Sequence, residues 1–437
     1  MDEYKVLKSK ISRSKAVITV IGLGYVGLPM ALEFCKKGFK VNGLDTNIRR
    51  IKNLNKGNSY IDDISSEEMR KILKKGDFRA TADPAVLSSS DVVIVCVPTP
   101  LRKIKEPDIS YIIAASRTLR KHMRSGQLII VESTTYPGTT RDVILPELEK
   151  SGLKLDKDFY LGFSPERIDP GNPKYSFSNI PKVVGGLTPK STELGKALYS
   201  RVVERVIGVS STETAEVTKL LENTFRIVNI GLINEFAMLC NKLDIDVWEV
   251  IEAAKTKPFG FMPFYPGPGI GGHCIPADPM YLSWKARTVG FETKMVDLAA
   301  KTNRMMPRYV VRRAAKLLAA KGKKLENARV LLVGVAYKKD INDLRESPAL
   351  DIIDELRKKN VRLSYNDEHI PYLDLPGIKM KSRKLTPALV RNHNIVIVAT
   401  DHSYLDYKMI ARNGAIVLDT RNAFEKNGVK RGNVVKL

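Results

Sequence analysis

Residues 16–27 read AVITVIGLGYVG and predict the fold of the first part of the chain. The apolar, largely β-branched run at 16–21 is typical of a buried parallel strand. The pattern GxGxxG follows at once, and a helical pattern then continues to Gly38. Strand, glycine-rich turn and helix in this order are typical of a unit that binds a dinucleotide. The turn residues expected to contact the dinucleotide are Gly22, Gly24, Tyr25, Val26 and Gly27.

An acidic residue at the end of the second predicted strand indicates which dinucleotide is bound. The run from Lys40 to Leu44 ends in Asp45, at about the separation expected for the acid that binds the adenosine ribose. Because a carboxylate repels a 2′-phosphate, Asp45 favours NAD over NADP. Arg49 and Arg50 lie nearby and leave NADP open as the alternative, and Arg50 is also an expected cofactor contact.

The alternation of strands and helices continues, and polar residues follow the predicted strands. We expect strands at 91–97, 128–132 and 160–163, and a helix at 109–123. In an open parallel sheet, ligands bind beyond the carboxyl ends of the strands. The residues expected there, facing one crevice with the glycine-rich turn, are Pro98, Thr99, Thr134 and Glu166. Thr99 could equally cap the helix that follows it, whereas Glu166 is harder to explain as a cap.

A long helical pattern covers residues 212–243. An unbroken helix of this length spans about 45 Å, which is enough to join two domains and to carry a dimer interface. Lys219 and Asn223 are four residues apart and therefore share a face, with Arg226 close to it. A solvated polar face is the ordinary explanation for such residues, but the flanking residues are apolar, which favours a domain junction.

The stretch Pro258–Tyr281 is rich in glycine and proline and is expected to be an ordered loop. It contains Cys274, and Asp278 follows four residues later. Gly271 and Gly272 are expected to leave room for a ligand to approach the thiol. The four cysteines of the chain show no CxxC pairing, so neither a zinc site nor a disulfide framework is indicated, and we expect no metal. A buried structural cysteine is the alternative.

The last part of the chain predicts a second α/β unit without a GxGxxG turn. Strands are expected at 328–333, 361–365, 395–399 and 416–419. The fold class is therefore α/β, with two Rossmann-like domains that have parallel sheets and are joined by the long central helix and a helical middle region. The predicted domains are residues 1–211, 212–320 and 321–437.

Composition and charge limit the kinds of ligand that the chain is expected to bind. The net charge is +24 over 437 residues, but the basic residues are scattered and form no tail or aromatic-basic stripe. Phosphate-bearing small substrates therefore fit better than nucleic acid. No apolar run approaches the length of about 20 residues that a membrane span needs, and the N-terminus lacks the apolar core of a secretory signal. We expect a cytoplasmic protein that binds neither nucleic acid nor a membrane.

Seven motifs together carry a resemblance to a known family. They are GLGYVGLP (22–29), VPTP (97–100), EST (132–134), SPER (164–167), KLxxN (219–223), GGHCIPADP (271–279) and GVAYKKDINDLRES (334–347). From Val17 to Arg421 the chain resembles the UDP-sugar 6-dehydrogenases, the family of UDP-glucose and UDP-N-acetylhexosamine dehydrogenases. The resemblance implies that 1–211 binds NAD, that 212–320 carries the dimer interface and the cysteine loop, and that 321–437 binds the UDP-sugar.

The resemblance also implies a reaction and a role for each matching residue. The sugar C6 alcohol would be oxidised to a carboxylate with two NAD per sugar. Lys219 and Asn223, with a water ordered by Thr134 and Asp278, would assist deprotonation of the alcohol and stabilise oxyanions. Cys274 would form a thiohemiacetal and then a thioester, and Glu166 would be the base or water-organiser for hydrolysis. The implied substrate contacts are Glu166, Arg167, Lys219, Asn223, Phe264, Tyr265, Gly271, Lys338 and Arg421, with a neighbouring subunit's site as an alternative for Arg421.

The choice of sugar rests on a departure from one branch of the family. UDP-glucose enzymes carry a pattern like GxCFxKD around the cysteine, whereas residues 272–278 read GHCIPAD. This stretch, ERIDPGN (166–172) and PFGFMPFYPGPG (258–269) favour UDP-N-acetylglucosamine, with UDP-N-acetylmannosamine as the rival and UDP-glucose as a further alternative. Two other classes stay open, a two-electron NAD dehydrogenase and a nucleic-acid-binding protein. The expected assembly is a homodimer or a higher homo-oligomer.

Overall fold

The computed structural model describes residues 2–61, 64–102, 106–168, 174–272 and 274–437. The chain divides into two compact units. The first ends at Glu222 and adds Met280–Phe291, and the second consists of Asn223–Pro279 and Glu292–Leu437. His273 and the end of the ERIDPGN motif, residues 169–172, lie outside the described residues.

The first unit is built on an eight-stranded sheet in the order β3-β2-β1-β4-β5-β6-β7-β8. The strands are β1 (Val17–Ile21), β2 (Lys40–Leu44), β3 (Phe78–Thr81), β4 (Val92–Val95), β5 (Gln127–Val131), β6 (Phe159–Phe163), β7 (Lys182–Gly186) and β8 (Val206–Val209). Neighbouring strands pair in parallel except β6 and β7, which are antiparallel. The predicted parallel sheet is confirmed, and the antiparallel pair is an addition to it.

Helices cover both faces of this sheet, which explains why its central strands are apolar throughout. Ile18 and Val20 of β1 belong to the core on one face, whereas Ile21 belongs to the core on the other. The helices are α1 (Glu3–Ser12), α2 (Gly27–Lys36), α3 (Ile48–Asn55), α4 (Ser66–Lys75), α5 (Ser110–His122), α6 (Leu145–Glu149), α7 (Pro189–Tyr199) and the 31-residue α8 (Thr212–Lys242), which continues into the second unit.

The second unit contains a five-stranded sheet in the order β10-β9-β13-β14-β15 and a separate two-stranded hairpin. The strands are β9 (Arg329–Val333), β10 (Arg362–Asn366), the hairpin strands β11 (Tyr372–Leu375) and β12 (Ile378–Lys381), β13 (Ile395–Val398), β14 (Val417–Asp419) and β15 (Val434–Lys436). All pairs in the larger sheet are parallel. The predicted second α/β unit is thus confirmed.

The second unit also contains most of the remaining helices, and one of them corrects a prediction from the sequence. They are α9 (Val247–Lys255), α10 (Cys274–Thr288), α11 (Lys294–Ala319), α12 (Pro348–Arg357), α13 (Pro387–Arg391), α14 (Tyr407–Asn413) and α15 (Ala423–Lys426). The expectation that residues 258–281 form a loop is wrong from Cys274 onward, where α10 begins. Pro276 lies in the first turn, where a missing N–H costs no intrahelical bond, and Pro279 lies inside the helix. No described helix is both long and apolar enough to cross a membrane.

Candidate active site

The three glycines of the GxGxxG turn have different structural roles. Gly22 has a φ of +95°, and a Cβ atom there would lie 2.4 Å from the carbonyl oxygen of Cys96. A Cβ on Gly27 would lie 1.9 Å from the carbonyl oxygen of Gly22. Gly24, in contrast, has no atom within 4 Å of the position of an added Cβ. The outer two glycines therefore permit the turn itself, and the middle one leaves open space beside it.

Asp45 holds this turn in place from the end of β2. Its Oδ2 accepts a hydrogen bond from the N–H of Leu23 at 2.9 Å, and its Oδ1 accepts one from Asn47 at 2.8 Å. The guanidinium of Arg50 lies 3.8 Å from Oδ2. The turn leads into α2, whose first N–H groups have no partner inside the helix. Open space at Gly24 and a helix N-terminus fit the pyrophosphate of a dinucleotide.

The predicted residues after β4 and β5 are positioned without capping a helix. Thr99 is buried, and its carbonyl oxygen accepts a hydrogen bond from the Tyr281 hydroxyl at 2.5 Å. Helix α5 has no side-chain cap at its N-terminus, so the alternative role of Thr99 as a cap is wrong. Pro98 is exposed and Thr134 is half-buried. Beside Thr134, Ser133 Oγ accepts the N–H of Val97 at 2.9 Å and ties the two strand ends together.

Glu166 and Lys219 are brought together in the first unit. Lys219 Nζ donates to the main-chain carbonyl of Glu166 at 2.6 Å, and both side chains are buried. Glu166 Oε1 accepts from the N–H groups of Arg167 and Ile168 at 2.6 and 2.7 Å. These are hydrogen bonds to the two residues that follow, and no described helix begins there, so they are not a helix cap. Arg167 is itself bound to Glu222, with Nη2 2.7 Å from Oε1.

Asn223 and Asp278 are brought together in the second unit. Asn223 Nδ2 donates to Asp278 Oδ2 at 2.6 Å, and both residues are at most 9% exposed. Cys274 is exposed and is the first residue of α10. Because Asp278 follows four residues later on the same helix, the thiol and the carboxylate share a face. The first turn of a helix also favours negative charge, which suits a thiolate.

The loop before Cys274 is fastened to its own unit. Gly267 N–H donates to Asn234 Oδ1 at 2.9 Å, and Asn234 Nδ2 donates to Asn303 Oδ1 at 2.9 Å. Cβ atoms on Gly271 and Gly272 would lie 2.5 and 2.9 Å from the Tyr337 side chain. The room that these two glycines leave is thus filled by Tyr337, which corrects the interpretation that it is left for a ligand.

The other predicted substrate contacts lie in the second unit, and several of them contact other residues of that unit. Phe264 packs edge-on against Phe225 at 5.6 Å, and Tyr265 stacks on Trp248 at 5.8 Å. Arg421 is half-buried, donates from Nε to the carbonyl of Ala399 at 3.0 Å, and lies so close to Gly267 that an added Cβ would meet Nη1 at 2.8 Å. Lys338 is half-buried. Phe264 and Tyr265 thus also support the loop.

Sequence reasoning missed a buried acidic residue that fixes the Thr134 segment. Glu216 of α8 is 1% exposed and accepts hydrogen bonds from the N–H groups of Gly138 and Thr140 at 2.7 and 3.0 Å. Burial raises its pKa to about 7, although the Thr140 hydroxyl and these N–H groups act in the opposite direction. In the sequence Glu216 is one of several acidic residues of a helical pattern, and only the contact identifies it.

A second group that was not predicted has the residue types of a metal site. Atoms of Asp340, His369 and His402 that can act as ligands lie within 4.8 Å of one another. However, His402 Nδ1 accepts the N–H of Asp340 at 3.0 Å, and Nε2 lies 3.0 Å from Asp367 Oδ2. A neutral imidazole has one nitrogen that accepts a hydrogen bond. In His402 that nitrogen, Nδ1, accepts the main-chain N–H of Asp340. The group therefore has a structural explanation.

Comparison with known proteins gives one family along the chain. The UDP-glucose/GDP-mannose dehydrogenase family matches with its NAD binding domain at residues 16–203, its central domain at 213–305 and its UDP binding domain at 331–426. A UDP-N-acetyl-D-glucosamine 6-dehydrogenase of Pseudomonas aeruginosa is 38% identical over 88% of this chain and 90% of its own. A UDP-N-acetyl-D-mannosamine dehydrogenase of Pyrococcus horikoshii is 33% identical over 95% and 100%. A solved structure titled as UDP-D-ManNAc dehydrogenase from Pyrococcus horikoshii superposes with a TM-score of 0.87 at 32% identity, covering 96% of this chain and 98% of that one.

Proposed function

Because this chain belongs to the UDP-glucose/GDP-mannose dehydrogenase family and is an NAD-dependent UDP-sugar dehydrogenase, we propose that it oxidises the C6 hydroxyl of UDP-N-acetylglucosamine to the carboxylate. The observation that carries the four-electron chemistry is the exposed Cys274 at the first position of α10, one turn before the buried Asp278–Asn223 pair. The relative that is 38% identical supports the choice of sugar.

The first oxidation needs a proton acceptor and a group that stabilises an oxyanion. NAD supplies the hydride acceptor in each oxidation, and the turn at Gly22–Gly27, Asp45, Arg50, Pro98, Thr99 and Thr134 would hold it. Lys219 and Asn223, with a water ordered by Thr134 and Asp278, assist removal of the C6 hydroxyl proton. The same ammonium and amide then stabilise negative charge on the sugar oxygen.

The second oxidation and the release of product depend on the thiol. The Cys274 thiolate adds to the aldehyde carbon and forms a thiohemiacetal, and loss of hydride from that carbon leaves a thioester. Water then attacks the acyl carbon, Glu166 takes its proton, and the carbon–sulfur bond breaks with its electron pair on sulfur. The products are the uronic acid and the Cys274 thiolate, and the enzyme returns to its initial state when Glu166 releases its proton to solvent.

The other assignments are part of the same proposal. Arg167, Phe264, Tyr265, Gly271, Lys338 and Arg421 contact the UDP-sugar. The domain limits 1–211, 212–320 and 321–437, a homodimer or higher homo-oligomer, and a cytoplasmic location also remain proposals. A two-electron dehydrogenase would have no use for Cys274, and that difference makes the class testable.

A second substrate is favoured by a specific observation. The relatives from Pyrococcus horikoshii, one at 33% identity and one with a TM-score of 0.87, carry N-acetylmannosamine in their names. The two sugars differ only in the direction of one acetamido group, so the same catalytic residues serve both. UDP-glucose lacks that group and is the third candidate.

The deciding experiment is the NADH yield with a limiting amount of sugar. UDP-N-acetylglucosamine, UDP-N-acetylmannosamine and UDP-glucose are each incubated with excess NAD, and the product is analysed for a carboxylate. We expect two NADH per sugar from UDP-N-acetylglucosamine and much slower turnover of the others. One NADH per sugar would reject the thioester route, whereas preference for another sugar would keep the route and reject the substrate.

The cysteine variant tests the chemistry independently of the sugar. In Cys274→Ser we expect acid formation to fall by about 1,000-fold or more, because a serine hydroxyl is far less nucleophilic than a thiolate at neutral pH. Cys240→Ser is the matched control, since Cys240 is a buried cysteine of α8. Its rate should stay close to that of the wild type.

A further inference from the structure

Three buried charged side chains form a cluster beside the proposed catalytic residues of the first unit. Glu132, Lys182 and Glu166 are all at most 7% exposed. Lys182 Nζ lies 2.7 Å from Glu132 Oε2 and 3.5 Å from Glu166 Oε2. One ammonium group therefore serves two carboxylates, and neither Lys182 nor Glu132 has a role in the function proposed above.

The antiparallel strand β7 is the element that creates this arrangement. Its register with β6 pairs Gly162 with Gly186 and Phe163 with Gly185. Continuing the same register beyond the end of β6 places Lys182 opposite Glu166. Glu132 follows directly after β5, the neighbour of β6 on its other side. A parallel β7 would have started at the other end of the sheet, so the reversed strand places the ammonium group at the carboxyl ends of β5 and β6.

The two oxygens of the Glu166 carboxylate have different surroundings. Oε1 accepts the two main-chain hydrogen bonds described above. Oε2 is buried and has no hydrogen-bond partner among the described residues. An ionised oxygen buried in this way is unfavourable unless an opposite charge or a bound molecule compensates it. Lys182 supplies that charge, with Nζ 3.5 Å from Oε2.

Lys182 is fixed in position by residues other than Glu166. Its closest anionic contact is Glu132, whose second oxygen accepts a hydrogen bond from the Tyr199 hydroxyl. The ammonium also lies 5.5 and 5.2 Å from the ring centres of Phe177 and Tyr199. A long side chain that is held by a carboxylate and two rings loses the freedom that a lysine ordinarily has. Its charge therefore stays beside Glu166.

We propose that Lys182, held by Glu132, is a positioning residue that keeps the Glu166 carboxylate ionised, so that Glu166 can act as the base for hydrolysis of the thioester. The inference rests on the proposed function, since that function assigns Glu166 to hydrolysis. In this step the water oxygen bonds to the acyl carbon and one water proton passes to the Glu166 carboxylate. The carbon–sulfur bond then breaks, and its electron pair stays on Cys274.

The charges around Glu166 agree with this role. Burial by itself would raise the pKa of Glu166, but Lys182, Lys219 and the two main-chain N–H groups hold it below its usual range. Burial raises the pKa of Glu132 to about 7 even with Lys182 beside it. The titratable groups that face the cluster are Lys182 of β7, Lys219 of α8, Glu132 after β5, Cys96 after β4 and Tyr199 of α7.

The test is the pH dependence of hydrolysis, followed by the decay of the acyl-enzyme in the intact-protein mass spectrum. In Lys182→Met we expect hydrolysis to slow by about 10-fold or more at acidic pH, where the wild-type carboxylate is still largely ionised. We also expect its acid limb to move to higher pH by about one unit or more, because a carboxylate without its cation ionises less readily. The acyl-enzyme on Cys274 should accumulate, and Lys182→Arg should restore the position of the limb.

Two further variants test the same proposal if Lys182→Met does not fold. The double variant Lys182→Met with Glu132→Leu removes the closest buried pair together, so that Glu132 is not left as a buried charge without its partner. It should show the same displaced acid limb. Glu132→Gln keeps the ammonium and should retain the wild-type limb. An unchanged acid limb in a folded variant without Lys182 would overturn the proposal.

Arg124→Met is the matched control for a purely structural effect. Arg124 Nη2 lies 2.8 Å from the buried Asp91, at the amino end of the same sheet. This variant should lower the melting temperature without moving the acid limb. The wild type separates the two hypotheses: if it forms one NADH and no acyl-enzyme, the proposed function fails. If it forms two NADH and Lys182 variants hydrolyse normally, only the inference about Lys182 fails.

Discussion

At the scale of single residues, Asp45 has a structural role and a proposed role in binding NAD. Its carboxylate holds the N–H of Leu23 in the glycine-rich turn, and it stands where the acid that binds an adenosine ribose is found. A substitution therefore has to keep the shape of the side chain if the two roles are to be separated. Asparagine keeps the shape and one of the two acceptors, so it can still accept the N–H of Leu23, while its NH₂ group then faces the N–H of Asn47.

In Asp45→Asn we expect the affinity for NAD to fall by about 10- to 100-fold, because hydrogen bonds to a charged group contribute about 1.5–3 kcal/mol. Activity with NADP should rise relative to activity with NAD, since the negative charge that repels a 2′-phosphate is gone. The measurement is kcat/KM for both cofactors with the same UDP-sugar. Asp77→Asn is the control, since Asp77 precedes β3 and lies outside the turn. An unchanged ratio between the two cofactors would contradict the role of Asp45.

Glu216 makes the stability of the first unit depend on pH. Its pKa in the folded protein is raised to about 7, whereas an ordinary glutamate in an unfolded chain titrates near 4.3. The folded state therefore holds the proton more tightly. The resulting stability is fully present below the unfolded pKa and is lost as the pH rises to about 7. Over this window the loss is on the order of 3 kcal/mol, and the pKa of Glu132 adds a slope of the same sign.

In Glu216→Gln we expect this share of the pH dependence to disappear, because glutamine does not titrate. At pH 5 the variant should be less stable than the wild type by about 1–3 kcal/mol. The reason is that its NH₂ group faces a main-chain N–H group from which the wild-type carboxyl group accepts a hydrogen bond. Urea unfolding at pH values from 5 to 8 measures both effects. Glu326→Gln, at an exposed glutamate, should keep the wild-type slope. A Glu216→Gln slope equal to that of the wild type would show that Glu216 does not titrate in this range.

At the scale of elements, two glycines of the turn between β1 and α2 are expected to differ in role, one being needed for folding and the other for the binding of NAD. Gly27→Ala places a methyl group 1.9 Å from a main-chain oxygen, and neither side can move without breaking the turn. We expect the unit to lose more than about 3 kcal/mol of stability or to fail to fold. Gly24→Ala meets no atom within 4 Å, so its melting temperature should stay near that of the wild type.

The same two variants should differ in cofactor binding. Gly24 borders the open space into which the pyrophosphate would fit, so a methyl group there should weaken NAD binding by about 10-fold or more without unfolding the protein. Differential scanning fluorimetry and titration with NAD give the two readouts. A Gly24→Ala variant with full NAD affinity would show that the dinucleotide does not pass close to this residue.

The elements also show how much of the fold the sequence predicts. Strands β1, β4, β5 and β6 were predicted because both of their faces are buried, which requires an uninterrupted apolar run. Strand β8 was missed because it lies at the edge of the sheet, where none of its four residues is buried. Helix α10 was missed because its prolines favour a loop in the sequence, although one of them occupies a position in the first turn that tolerates it.

The site was predictable only where chemistry follows a motif. Cys274, Asp278, Lys219 and Asn223 stand out by residue type and spacing, and their roles remain predictions. Lys182 has no such pattern, since its partners are 50 and 16 residues away in the sequence and meet it only through an antiparallel strand. Contacts of this kind depend on topology, so sequence periodicity does not reveal them.

At the scale of the whole molecule, helix α8 carries an apolar stripe that its own unit leaves exposed. Leu232, Phe236 and Leu239 of α8, and Leu243 directly after its end, are between 45% and 58% exposed and are spaced four, three and four residues apart. This spacing places them on one face of the helix. An exposed stripe of large apolar side chains marks an interface more often than a free surface. We therefore expect a second copy of the chain to cover it in a two-fold symmetric dimer, in which the same patch serves both subunits.

Phe236→Glu combined with Leu239→Glu should dissociate this dimer, because each subunit would bury two carboxylates against their symmetry mates. Sedimentation velocity should then show a monomer at concentrations where the wild type is a dimer, with dissociation constants that differ by about 100-fold or more. Ala319→Glu with Ala320→Glu adds the same charge at exposed residues at the end of α11 and should leave the dimer intact. If both double variants sediment like the wild type, the stripe is not the interface, and a wild type that is monomeric throughout would reject the dimer itself.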